Sequence, residues 1–165
     1  MLAALALSDS FIAESWLDIV VRLVVAMGLG AACGWEREKV SRPAGLRTFM
    51  MVSLGAAVFV MLGFAMLDGL DEADPNSTKF DPSRIVAGVI TGIGFLGAGT
   101  IIQSGGQVRG LTTAAGLWVM AGIGVAAGMG LFALAGIAAG CVLFVLALMR
   151  LVGEQIPESD AEDPS

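Results

Sequence analysis

The chain has 165 residues, of which 56% are hydrophobic and 15% charged, and its formal charge is −6. A soluble domain carries about a quarter charged residues. A chain of this size also cannot bury acid-free stretches as long as 39–67 and 82–153 in one water-soluble core. The composition therefore excludes an ordinary soluble domain and calls for a bilayer. The lack of a basic run excludes nucleic acid as a partner, and the absence of His removes the commonest metal ligand and proton shuttle.

Residues 1–16 form an expected extracytoplasmic lead-in, mildly apolar but without the basic start of a cleaved signal peptide. About 20 apolar residues are needed to cross the hydrocarbon core of a bilayer. Five segments are read as spans: Leu17–Trp35, Thr48–Leu67, Arg84–Gln103, Thr112–Ala127 and Leu131–Met149. Gly128-Met129-Gly130 separates the last two and predicts a tight turn. Residues 17–150 thus make one transmembrane domain, and 151–165 an acidic, disordered cytoplasmic tail. The expected fold is an all-α integral membrane protein with five transmembrane helices.

Lys and Arg set the orientation. Arg37, Lys39, Arg42, Arg47, Arg109 and Arg150 fall on one side of the expected spans, and Lys79 and Arg84 on the other. The first group marks the cytoplasm, which puts the N-terminus and the acidic loop Asp68–Ser83 outside and the C-terminus inside. Cys33 and Cys141 lie in apolar segments without CxxC spacing and read as small core residues.

A shift of 65 residues lays spans 1–2 on spans 3–4. Gly45-Leu46-Arg47-Thr48 then meets Gly110-Leu111-Thr112-Thr113, and Gly34 and Gly63 meet Gly99 and Gly128. One reading is a parallel repeat about the membrane normal. The other is chance matching in apolar sequence.

Glycines four apart, such as Gly30/Gly34, Gly88/Gly92, Gly124/Gly128 and Gly136/Gly140, allow close helix approach in lipid. Intramolecular packing is the first reading of these pairs and a homo-oligomer seam the second. The densest run holds Gly92, Gly94, Gly97 and Gly99 and is expected to be a packing face. Within the spans, Asp18 and Arg22 are four apart on one helix face; they either pair, or Arg22 snorkels to the headgroups.

A polar cluster is expected at the cytoplasmic edge. It combines Glu36, Arg37 and Glu38 with Arg47, Thr48, Arg109, Thr112 and Thr113. A plain basic anchor has no use for Glu-Arg-Glu at a span edge, so Arg47 or Arg109 is expected to pair with those carboxylates. Thr48 and Thr112/Thr113 are candidate helix caps. Spans 2–5 contain no carboxylate for a cation; Ser53, Thr91, Thr100 and Gln103 are their main polar side chains. No nucleophile–base pair or ligand set stands out, so the expectation is no catalysis, no metal site and no cofactor.

Four blocks together resemble the signatures of the MgtC/SapB family: Gly34-Trp35-Glu36-Arg37-Glu38, Ala44-Gly45-Leu46-Arg47-Thr48, the Gly92–Gly99 run, and Arg109-Gly110-Leu111-Thr112-Thr113 with Trp118. The resemblance covers about residues 15–150. It implies a multi-pass bacterial inner-membrane protein linked to growth in low Mg²⁺, to virulence and to inhibition of ATP synthase. Many members carry an ACT-like cytoplasmic domain after the last span, which this sequence is expected to lack. Gly88 stands where the family often has Gln, which weakens the case for a polar role of span 3 at that level. The functional expectation is a regulator that binds another membrane protein or complex, such as ATP synthase or a cation transporter. A small transporter or channel for Mg²⁺ or another solute is the alternative.

Overall fold

A computed structural model describes residues 16–39, 43–73, 81 and 83–153, with side chains described for all of these but 67–73 and 150–153. The lead-in before Trp16, most of the acidic loop and the tail beyond Gly153 lie outside the described residues.

Among the described residues, five helices and one hairpin follow in order: α1 (Trp16–Lys39), α2 (Leu46–Ala73), α3 (Ser83–Gly99), β1 (Ile102–Ser104), β2 (Gln107–Arg109), α4 (Leu111–Gly128) and α5 (Phe132–Gly153). Four helices are long and apolar enough to cross a membrane, and α3 is a shorter apolar helix of 17 residues. That length lies at the low end of what spans a bilayer. The chain is thus a multi-pass, predominantly helical membrane protein.

The third expected span ended at Gln103, and here the structure differs. The helix stops at Gly99, and Gln103 lies in an antiparallel hairpin pairing Ile102 with Arg109, Gln103 with Val108 and Ser104 with Gln107. Gly105 and Gly106 form its turn at φ 58° and 78°. A two-residue hairpin turn of this kind takes positive φ at both positions, where glycine carries no Cβ penalty.

Helix α4 is the centre of the bundle. Of its residues, 56% are buried inside the protein, against 11% of the apolar stretch of α5, which lies at the periphery. Helix α2 nests between α1 and α4 because glycines clear its path. A Cβ added at Gly34 would stand 2.7 Å from Leu46 Cα, and one at Gly30 2.8 Å from the Phe49 carbonyl oxygen. On the opposite side, a Cβ at Gly128 would stand 2.8 Å from Ala57 Cα. Phe49 fills the space between Gly34 and Gly116 and is 1% exposed. The buried Ser53 hydroxyl donates to the Ala26 carbonyl at 2.7 Å and ties α2 to α1.

The turn after α4 closes as expected. Gly130, at φ 76°, donates to the Ala127 carbonyl, and Leu131 donates to Ala126. This is the Schellman arrangement of a helix C-terminus. Arg22 adds to it: Nη1 donates to the Gly128 carbonyl at 3.1 Å while Nη2 meets Asp18 Oδ2 at 2.6 Å. Arg22 therefore pairs with Asp18 and caps α4, and it does not snorkel. A cation at the negative end of the helix dipole is favourable there.

Three further expectations are corrected. Added Cβ atoms at Gly92, Gly94 and Gly99 would meet nothing within 4 Å, and only Gly97 of that run lies against a neighbour, 3.6 Å from Ala114 Cβ. The glycine run is therefore mostly open, because Gly92, Gly94 and Gly99 lie off the face of α3 that packs on α4 through Ile93 and Gly97. Gly88, Gly136 and Gly140 are open in the same way. Cys33 is buried but Cys141 is exposed on the outer face of α5.

Candidate interaction site at the Arg37 end

Three helix ends converge here: the last turn of α1 and the first turns of α2 and α4. Arg37 is 4% exposed, and its Nη2 donates to Thr113 Oγ1 at 2.7 Å. Sequence at both ends builds this contact. Gly110, at φ 91°, is the N-cap of α4 and leaves Thr113 facing inward in the first turn. Gly34, one turn before Arg37, brings α1 down onto α2. Charge-assisted hydrogen bonds are about twice as strong as neutral ones, and a buried guanidinium is costly without them.

Glu38 has a different task from the one its sequence context suggested. Its Oε2 accepts the backbone N–H of Leu46 at 3.0 Å. That bond satisfies one of the free donors at the start of α2. A Cβ at Gly45 would run into the same carboxylate, so a side chain there would push the Glu38 cap aside. Thr48 is consequently not the cap of α2. Nor do Thr112 or Thr113 cap α4, since its N-cap Gly110 makes no side-chain cap bond.

The expected ion pairs of Arg47 and Arg109 with Glu36 or Glu38 do not form among the described residues. Arg109 instead donates from Nη2 to Gln107 Oε1 at 3.3 Å, across one face of the hairpin. Arg47, Thr48, Thr112 and Arg109 are exposed, and Glu36 is half-buried. Ile102 and Val108 of the hairpin are exposed as well, at 64% and 49%. Lys39 Nζ sits 5.7 Å from the centre of the Trp35 ring, which is itself half exposed.

The site thus has two layers. A frame made of the buried Arg37–Thr113 bond and the exposed Glu38 cap fixes the helix ends. An outer layer of Glu36, Arg47, Thr48, Arg109 and Thr112 lies at the same edge as the hairpin, whose Ile102 and Val108 are exposed. Sequence reasoning placed the cluster but missed the hairpin. Its signal was available, because Gly105-Gly106 separates two short segments containing β-branched residues.

Two hydroxyls of the α3 region bond back to the backbone of their own segment. Thr91 donates to the Ala87 carbonyl and Thr100 to the Gly97 carbonyl, both at 2.8 Å. Among the described residues there is no group of three or more His, Cys, Asp or Glu that could hold a metal ion. A groove of about 780 Å³ opens between α2 and α3, with Thr48 and Arg84 as its polar lining residues.

Fold and site together define a small multi-pass membrane protein, packed through glycine, with a polar apparatus at one membrane edge. The chain belongs to the MgtC family, whose model matches residues 23–155. Among its relatives, MgtC of Salmonella typhimurium (strain LT2) is 47% identical over 104 residues, which is 63% of this chain and 40% of that protein. YhiD of Escherichia coli (strain K12) is 41% identical over 109 residues, 64% of this chain and 48% of its own. SrpB of Synechococcus elongatus is 41% identical over 117 residues, 66% of this chain and 62% of its own. The chain therefore spans about half the length of the curated relatives it matches. No solved structure matches it.

Proposed function

We propose that this protein works in the bacterial inner membrane, with its Arg37 end in the cytoplasm, as a regulator that binds another membrane protein or complex and alters its activity. It acts without catalytic chemistry of its own. The partner class is ATP synthase or a cation transporter, in cells short of Mg²⁺ or under stress, including during infection.

One observation carries this reading. The membrane edge combines the buried Arg37–Thr113 hydrogen bond and the Glu38 cap with two exposed guanidinium groups and the exposed Ile102 and Val108 of the hairpin. Rigid framing of exposed Arg suits an interface anchor, because Arg is among the residues that carry most of the binding energy at interfaces.

The alternative, transport of Mg²⁺ or another solute along α3, is favoured by the name of YhiD, which is given provisionally as a magnesium transporter. A divalent cation takes six or more oxygen ligands, in part carboxylates. The groove along α3 offers one hydroxyl and one guanidinium.

Photo-crosslinkers placed at Val108 and at Phe132, on opposite membrane edges, test the regulator. Cells expressing each variant are compared for growth in low Mg²⁺ and for crosslinked membrane partners, with and without Arg47→Ala. The regulator requires a partner at Val108 that Arg47→Ala removes together with growth, and none at Phe132. Equal growth and equal crosslinking with Arg47→Ala rule out this edge as the site.

A further inference from the structure

The hairpin after α3 is a sheet of two strands, so each strand keeps one open edge. Both strands are exposed along their whole length. The Gly105-Gly106 turn closes the Ser104–Gln107 pair. That pair and Ile102–Arg109 exchange backbone hydrogen bonds, and the Gln103–Val108 pair between them turns its N–H and C=O groups outward. Among the described residues, no backbone hydrogen bond joins Gln103 or Val108 to a residue outside the hairpin. Open sheet edges do not sit in lipid hydrocarbon, where nothing can pair them. The edge therefore lies where an extramembrane segment can reach it.

We propose that β2 accepts an added strand, an extended segment of the regulated protein in which carboxylate and apolar side chains alternate. This rests on the regulator reading, in which a partner docks at the Arg37 end. The added backbone pairs with the outward N–H and C=O of Val108, the strand-addition mode of peptide recognition. Side chains set its composition. Successive residues of a strand point to opposite faces, and cross-strand neighbours share a face. Arg109 and Gln107 project from one face of β2 and Val108 from the other. An alternating strand thus places its carboxylates by Arg109 and its apolar side chains by Val108. Lys39, Arg47 and Arg109 are exposed cations of this end, whereas Glu36 is half-buried and Glu38 is held by the Leu46 N–H. The charge left for a partner is positive and selects an acidic segment.

Other occupants match less of the edge. A phospholipid phosphate answers Arg109 but cannot extend a backbone ladder at Val108. The acidic segment 154–165 of this chain is a poor strand, interrupted by Pro157 and Pro164 and with Ile156 as its one β-branched residue. A second copy would bring another Arg109 to the edge in place of a carboxylate.

The probe is a short fluorescent peptide of alternating glutamate and valine, titrated by anisotropy onto the full chain in zwitterionic nanodiscs. Val108→Pro removes the outward N–H of β2 and Gln103→Pro that of β1, and proline is tolerated at such edge positions. Circular dichroism and a melt check that both variants remain folded. Wild type and Gln103→Pro are expected to bind alike, and Val108→Pro about tenfold more weakly. Arg109→Gln should also weaken binding, and added salt should weaken wild type more than that variant. A lysine–valine peptide, or the acidic peptide with an N-methylated backbone, should not bind. Equal binding by the two proline variants, equal binding of the N-methylated peptide, or no binding at all overturns the proposal. So does binding that appears only in a chain cut after Gly153, binding abolished by phosphatidylglycerol in the nanodisc, or a dimer that Val108→Pro splits. The occupant would then be the chain's own acidic segment, a lipid phosphate or a second copy, respectively. If the peptides fail while an Arg47-dependent partner still crosslinks at Val108, strand addition falls and the regulator stands. If they bind as expected and no partner crosslinks there, the regulator falls.

Discussion

Replacing Gly34 and Gly92 by alanine, one at a time, separates packing from propensity. Both glycines lie in helix interiors, and alanine there gains about 0.8–1 kcal/mol of helix propensity at either. At Gly92 nothing opposes that gain, because the new Cβ meets no atom within 4 Å. At Gly34 the Cβ arrives 2.7 Å from Leu46 Cα and 3.0 Å from Phe49 Cβ, where 3.4 Å is the near limit of ordinary contact. The α1 and α2 backbones must then separate by at least the difference, 3.4 − 2.7 = 0.7 Å. Leu46 Cα cannot swing aside as a side chain can. Overpacking of this kind costs about 1–3 kcal/mol. It also pulls Glu38 away from the Leu46 N–H it accepts. The net expectation is a loss of up to about 2 kcal/mol for Gly34→Ala and a gain of up to about 1 kcal/mol for Gly92→Ala. At about 2–4 °C per kcal/mol the melting temperatures should move several degrees in opposite directions. Thermal melts of the two purified variants in one detergent, followed by loss of the monodisperse size-exclusion peak, would measure this. Shifts of the same sign and size would refute the nesting of α2 against Gly34.

Three other changes follow from individual contacts. Thr113→Val removes the acceptor of the buried Arg37 bond, and the same melt should show a loss of about 1.5–3 kcal/mol. Glu38→Ala removes the cap of α2 and should cost about 0.5–2 kcal/mol, whereas Glu38→Gln keeps an acceptor and should cost less; amide exchange at Leu46 distinguishes the two. Asp81 is held below its ordinary value of 3.8 by hydrogen bonds from the Ser83 side chain and backbone, aided by the charge of Arg84. A carboxyl group with a lowered folded value contributes stability that is complete above pH 3.8 and is lost as pH falls through the folded value. Exchange at Ser83 and Arg84 should therefore quicken on that acid limb, and Asp81→Asn should remove the dependence.

The bilayer spans were legible because apolar length is a property of the sequence alone. The helix starts at Leu46 and Leu111 are 65 residues apart, the same shift that aligns the two Gly-Leu motifs. Their surroundings differ, however. Gly34 is pressed against Leu46, while its counterpart Gly99 faces open space. Sequence spacing shows where glycines line up along a helix, but which line meets a neighbour depends on how the helices lean. The Gly30/Gly34 and Gly124/Gly128 pairs meet α2, and Gly88/Gly92 and Gly136/Gly140 meet nothing. Charges were misread for a related reason. Glu38 was expected to seek a cation, but a free backbone N–H at the start of α2 lay closer. Arg22 likewise found a helix C-terminus whose position only the turn at Gly130 determines. The hairpin at 102–109 was missed although its Gly105-Gly106 turn is visible, because Ile101 and Ile102 carry the hydrophobic run of α3 past the point where the helix ends.

The most direct test of a regulator that moves no solute is Mg²⁺ flux into proteoliposomes holding the purified, folded protein, beside empty vesicles and an Arg47→Ala control. The account predicts uptake indistinguishable from empty vesicles for both proteins. Uptake above that background, abolished by Arg47→Ala, would contradict it and make the Arg47 edge part of a conduction path.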